Sequence, residues 1–186
     1  MRRGGVLARR YAKALFQIGK ERGILEKLHE DMTAFVRGLQ ENREFYHFFI
    51  SPEVPRKEKE EKIEEIFGDA FSNVFYNFLL VVLKKRRQDL ILDIAEEFNG
   101  ELDRYNNRVK AHVTTAVALP PRLQEEIRSR LADQLKKEVI LIPHVDPQVL
   151  GGIRITVDGL VIDGSLRGKL EKMRRFLLER AGEALN

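Results

Sequence analysis

The chain has 186 residues, 43% of them hydrophobic and 33% charged, with no cysteine and a formal net charge of +4. This composition fits one medium or two small folded domains and excludes a disordered chain, a disulfide scaffold and thiolate metal sites. The longest apolar run, Phe78–Leu83, is far short of the ~20 residues that span a bilayer, and no apolar stretch of a secretory signal follows the basic opening Met1–Gly5.

Residues 1–105 carry helical periodicity throughout. The first helix is read at Val6–Arg22 and the second at Ile24–Asn42, where Ile24, Leu28, Met32, Phe35 and Leu39 recur at the spacing of one buried face. Glu44–Ile50 is a short aromatic helix stopped by Ser51-Pro52. A fourth helix opens near Pro55, a favoured first-turn residue, and its Lys/Glu-rich run to Phe67 reads as exposed ion pairs. The fifth spans about Asp69–Lys85 and the sixth about Asp89–Tyr105, with Leu90, Ile94, Phe98 and Leu102 on one stripe. Six amphipathic helices on short connections imply an antiparallel six-helix bundle over residues 1–105.

The pattern changes at Asn106-Asn107, which is read as the domain boundary. Val109, Ala111, Val113, Thr115 and Val117 alternate as in a strand. Pro120-Pro121 opens a helix carrying Leu123, Ile127, Leu131 and Leu135. Val139–Val145 is a second strand, residues 152–157 and 160–163 are two more, and Ser165–Arg180 is a closing helix. The fold class is α+β: a helical bundle, then a small α/β domain of mixed sheet over residues 106–186. Acidic and basic side chains balance over residues 1–105, so the whole net charge of +4 falls in the second domain. That excess raises a nucleic-acid reading. Against it, no Phe, Tyr or Trp lies between Asn106 and Arg175 to stack on bases.

The glycine-rich stretch Gly151–Leu170 invites a phosphate-loop reading, but neither G-x-x-x-x-G-K-[ST] nor G-x-G-x-x-G is present. A hairpin explains more. Asp158-Gly159 suits a two-residue type I′ turn between alternating strands, and Ser165 can cap the closing helix. Leu166, Leu170, Met173 and Leu177 are expected to form that helix's buried face.

The four histidines, His29, His47, His112 and His144, have no metal-ligand spacing, and His29, Glu30 and Asp31 sit on a helix rich in exposed charge. No nucleophile-elbow pattern surrounds any serine. No catalytic residue, cofactor or metal is assigned. The first helix instead carries an excess of apolar surface: Leu7, Tyr11, Ala14 and Ile18 on one face, and Ala8, Ala12, Leu15, Phe16 and Gly19 on the next, an arc roughly 200° wide. The fifth helix has almost no polar side. Both are read either as central helices or as the walls of a groove for a partner's amphipathic helix.

Two segments carry a family resemblance. Residues 146–173, with Gly151, Gly152, Ile155, Val161, Asp163, Gly164, Ser165 and Leu170, resemble the C-terminal signature of the delta subunit of bacterial F-type ATP synthase. Ala8–Phe16 is similar to the family's opening A-x-x-Y-A-x-A-L-F. The turn Asp158-Gly159 inverts the family's usual Gly-Asp, which implies a changed turn type on an unchanged fold.

The resemblance implies a non-catalytic stator subunit, peripheral on the cytoplasmic face of a bacterial cell membrane and touching that membrane only through its complex. It implies that the first and fifth helices take the amphipathic N-terminal helix of an alpha subunit. Tyr11 and Ala14 match family positions there, and Ile18, Phe78, Val81 and Val82 follow by helical spacing. It implies further that the second domain contacts the b subunits of the peripheral stalk. The basic residues Lys169, Lys172, Arg174 and Arg175 of the closing helix are candidates for that contact, with solvated charge as the other reading.

Overall fold

The computed structural model describes residues 3–68 and 70–183, with side chains described for residues 5–68 and 70–178. The chain divides between Tyr105 and Asn106 into two units. The fold is α+β, with eight α-helices and a four-stranded mixed sheet among the described residues.

The first unit holds α1 (Arg3–Arg22), α2 (Leu25–Glu41), α3 (Arg43–Ile50), α4 (Arg56–Phe67), α5 (Asn73–Lys84), a 3-10 turn (Gln88–Leu90) and α6 (Ile91–Tyr105). Local chemistry sets several of the breaks. Gly23 takes a positive φ of 67° just beyond α1. The Asn42 side chain accepts from the Phe45 amide at 2.9 Å and so caps α3. The core gathers around Phe35. The rings of Phe45, Phe49, Phe67, Phe71 and Phe75 lie 5.1 to 6.1 Å from it, mostly edge to face.

Three differences from the sequence reading concern polar groups. The fifth helix begins at Asn73; Asp69 lies outside the described residues, and Ala70–Ser72 is not helical. The cause is Asp31, whose Oδ2 accepts from the Ser72 amide at 2.9 Å and from its hydroxyl at 2.6 Å. Ser72 Oγ in turn accepts from the Phe75 amide and caps α5. Asp31 is therefore buried, at 2% exposure, with Lys27 at 3.0 Å, and is not on an exposed charged face. His29 beside it is half-buried and bonds Asn99 at 3.1 Å. Along α4 the pairs Arg56–Glu60, Lys57–Glu61 and Lys62–Glu65 form at helical spacing, but Lys59 turns inward and donates to the Ser51 carbonyl.

The second unit holds β1 (Arg108–Thr115), α7 (Pro121–Leu135), β2 (Glu138–Val145), a 3-10 turn (Pro147–Val149), β3 (Ile153–Val157), β4 (Leu160–Asp163) and α8 (Leu166–Glu183). The sheet order is β2-β1-β3-β4. The pair β1–β2, joined through α7, is parallel, whereas β1–β3 and β3–β4 are antiparallel. Strand alternation buries Val109, Ala111, Val113 and Thr115. Val117 lies beyond the end of β1 and is exposed. Leu131 of α7 joins Val109, Ala111, Val139 and Val157 in a small core, with Ile127 and Leu135 partly buried against it and Leu123 exposed.

The expected buried face of the closing helix is not buried. Leu166, Leu170, Met173 and Leu177 are 49 to 64% exposed. With α7 already packed on the small core, α8 meets its unit chiefly at the second 3-10 turn.

Candidate functional site: an apolar groove between two helices

Helix α1 packs most extensively against α6, and Ala8, Ala12 and Leu15 are fully buried. The adjoining face, Tyr11, Ala14 and Ile18, looks onto Val74, Phe78 and Val81 of α5. Between them lies a groove of about 370 Å³, completed by Leu15, Asn77 and Arg22. Tyr11 and Phe78 meet across it edge to face, with ring centroids 6.4 Å apart. Ile18 and Val81 are 40% and 47% exposed, so the apolar rim is open to solvent.

Five of the six residues assigned from sequence, Tyr11, Ala14, Ile18, Phe78 and Val81, therefore share one groove. The sixth, Val82, does not line it. It is fully buried in the core with Phe75 and Leu79. Helix α5 carries two apolar stripes about 100° apart, residues 74, 78 and 81 on one and 75, 79 and 82 on the other. With both stripes apolar, spacing alone could not say which faced outward. Sequence reasoning also missed Val74, one turn before Phe78, and Arg22, the cation at one end of the groove.

The groove presents no carboxylate, imidazole or hydroxyl nucleophile beyond the Tyr11 phenol. What it offers is apolar area in a row about three turns long, which suits a helix laid along it. Among the described residues no group of three or more His, Asp or Glu is placed to hold a metal.

The glycine-rich stretch has the geometry of a turn and a cap. Asp158 and Gly159 take φ of 50° and 81°, the two positive angles of a type I′ hairpin. Gly152 takes φ 74°, and a Cβ there would meet the Gly164 carbonyl oxygen at 2.5 Å, so only glycine fits. Gly151 accepts from the Leu166 amide at 2.9 Å, and Gly164 donates to the Ile153 carbonyl at 2.9 Å. Asp163 Oδ1 accepts from the Ser165 hydroxyl at 2.6 Å and its amide at 2.9 Å, while Oδ2 takes the Arg154 guanidinium at 3.0 Å. These bonds, led by the Ser165 hydroxyl, hold the Asp163 carboxyl down at about 2. Ser165 Oγ accepts from the Gly168 amide, capping α8. The amides of Ser165, Leu166 and Gly168 are thus committed within the chain and do not form an anion cradle.

On α8 the basic residues Lys169, Lys172, Arg174 and Arg175 are all exposed. At ~100° per residue they fall beside and opposite the stripe Leu166, Leu170, Met173 and Leu177. Leu160, Val161 and Ile162 of β4 are also exposed, at 44 to 58%. Leu170 of the signature thus belongs to an outward apolar surface, while Gly151, Gly152, Asp163, Gly164 and Ser165 build the bracket that starts α8.

Comparison with known proteins identifies the family and the fold. The family described as "ATP synthase delta (OSCP) subunit" matches residues 7–177. The chain is similar to ATP synthase subunit delta of Rubrobacter xylanophilus, with 36% identity over 171 residues, covering 91% of this chain and 95% of that one. It is also similar to the same subunit of Heliobacterium modesticaldum, with 34% identity over 175 residues and 94% of each chain covered. Among solved structures, a chain of the Toxoplasma gondii mitochondrial ATP synthase hexamer has the same fold, with a TM-score of 0.76 at 22% identity over 92% of this chain and 97% of that one. Nothing in these matches supports the nucleic-acid reading. With one family matched along residues 7–177 and relatives above 30% identity over nearly their full length, the chain belongs to the ATP synthase delta (OSCP) subunit family.

Proposed function

We propose that the α1–α5 groove seats an amphipathic helix, and that this helix is the N-terminal segment of an alpha subunit of the catalytic head. As a member of its family the chain is a non-catalytic stator subunit of an F-type ATP synthase, linking head to peripheral stalk. A link under torque needs tight, slowly released contacts, and apolar burial supplies them: each large side chain buried in full contributes ~1.5–3 kcal/mol. The observation that carries the reading is the groove itself, an open row of apolar side chains with no carboxylate or imidazole between two helices of one unit.

The second unit, in this reading, binds the b subunits of the stalk. The exposed stripe Leu166, Leu170, Met173 and Leu177 supports α8 as the contact, with the leucine stripe as anchor and Lys169, Lys172, Arg174 and Arg175 as its charged flanks. Among the described residues no helix is long and apolar enough to cross a membrane. In this reading the chain reaches the cytoplasmic face of its membrane through the complex. Titration of the full chain with a peptide of the alpha N-terminal segment tests the first part of the proposal. Saturable one-to-one binding is expected; no binding at millimolar peptide would reject it.

A further inference from the structure

A second cavity, of about 650 Å³, opens between the loop joining α3 to α4 and the turn joining α5 to the first 3-10 segment. Its size lies within the ~300–1,000 Å³ of small-molecule sites. Five cations line it, Arg56, Lys59, Lys84, Arg86 and Arg87, against one carboxylate, Asp89. Arg56 is engaged by Glu60 at 3.1 Å. Among the described residues, Lys84, Arg86 and Arg87 have no ion-pair partner.

Lys59 is the unusual member. Its side chain is 2% exposed, and its Nζ donates to the Ser51 carbonyl. An ammonium has three donors, of which the Ser51 carbonyl takes one. Burial lowers the Lys59 pKa, the mark of a desolvated cation short of negative charge. Arg86 is unusual in its backbone. It holds φ 53°, in the left-handed region where glycine is the unstrained residue after a helix. Gln88 adds a buried Oε1 with no hydrogen-bond partner among the described residues, an acceptor that a ligand hydroxyl would satisfy.

We propose that this cleft is a binding site for an oligophosphate: two or more linked phosphates, either free as pyrophosphate or carried by a nucleotide. Guanidinium forks grip phosphate oxygens two at a time, and Lys supplies a point charge. Lys84, Arg86 and Arg87, without an ion-pair partner among the described residues, and the buried Lys59 together outmatch the charge of a single phosphate. The concave shape favours a small molecule over an acidic polypeptide, which would need an extended track. The site lies apart from the α1–α5 groove and does not depend on what that groove binds.

The test is calorimetric titration of the full chain with inorganic pyrophosphate, ADP, inorganic phosphate and an oligoglutamate peptide at low salt. Saturable one-to-one binding of pyrophosphate, at least tenfold tighter than phosphate, is expected. ADP binding tighter than pyrophosphate would assign the nucleotide as the source, and equal or weaker binding the free oligophosphate. Arg86→Gly removes a guanidinium while relieving the backbone, so it should fold and still lose tenfold or more. Arg87→Gln should lose as much, and Lys13→Gln, an exposed lysine of α1 outside both cavities, nothing. Amide shifts of the wild type, read by NMR, should move at Arg56, Lys59 and Arg86–Asp89, which keeps the test independent of any variant's folding. The proposal is overturned by an absence of saturable binding, by oligoglutamate binding tighter than pyrophosphate, by equal loss in Lys13→Gln, or by shifts elsewhere.

Discussion

Tyr11 and Phe78 face each other across the α1–α5 groove with 73° between their ring planes and 6.4 Å between their centroids. The pair bridges two helices whose neighbouring side chains stay open to solvent on either side. It forms the floor on which the proposed partner helix rests.

Ala14 lies on the rim of that floor and is exposed in the free chain. Ala14→Asp should therefore leave folding intact while placing a carboxylate where the partner brings apolar surface. Affinity for the alpha N-terminal peptide is expected to fall tenfold or more with the melting temperature unchanged. Val81→Ala should give a smaller loss, and Val82→Ala should lower stability because Val82 is core. Calorimetric titration beside thermal unfolding separates the three.

The bond between Asp31 and Ser72 fixes where α5 begins, and with it one wall of the groove. Ser72→Ala loses the helix cap and should cost about 1 kcal/mol. Asp31→Ala strands the Ser72 amide in a part-buried site and should cost about 1–3 kcal/mol. The two residues act through one network, so the double variant should cost less than the two losses combined. Urea unfolding of the four proteins measures this coupling.

Asp163 holds its proton less tightly when folded, at about 2 against an ordinary 3.8. Its contribution to stability is therefore full above about 3.8 and is lost as pH falls toward about 2. Thermal unfolding between those values should show the second unit weakening on acidification. Asp163→Asn should flatten that part of the profile.

The exposed leucine stripe of α8 separates two accounts of the stalk contact. If apolar burial anchors it, Leu170→Glu should abolish binding of a stalk b-subunit fragment, while Lys172→Gln should weaken it only a fewfold and more at low salt. Both side chains are exposed, so neither change should alter folding. The opposite ranking would move the contact to the charges.

Periodicity made most elements legible. The alternation at Val109, Ala111 and Val113 and the stripe Ile94, Phe98 and Leu102 could each bury only one face. Asp158-Gly159 announced its turn because few residue pairs tolerate two positive φ angles. What escaped the sequence was tertiary. Nothing local marks Asp31 as the acceptor that starts a helix 41 residues later, or Lys59 as the inward lysine among outward ones. The stripe on α8 has the same pattern as a buried face; only its lack of a covering layer tells the difference. In the groove, α1 could be read because polar residues bound its apolar arc. The faces of α5 could not be ranked, since both are apolar, and Val82 was misplaced for that reason.

The central claim is tested most directly by NMR on the full chain with labelled Ala, Ile, Leu, Val and Met methyl groups and an unlabelled alpha N-terminal peptide. Intermolecular contacts from the methyls of Ala14, Ile18, Val74 and Val81 to the apolar side chains of a helical peptide are the predicted result. Contacts confined to Leu170, Met173 and Leu177 of α8, or none at saturating peptide, would contradict the account.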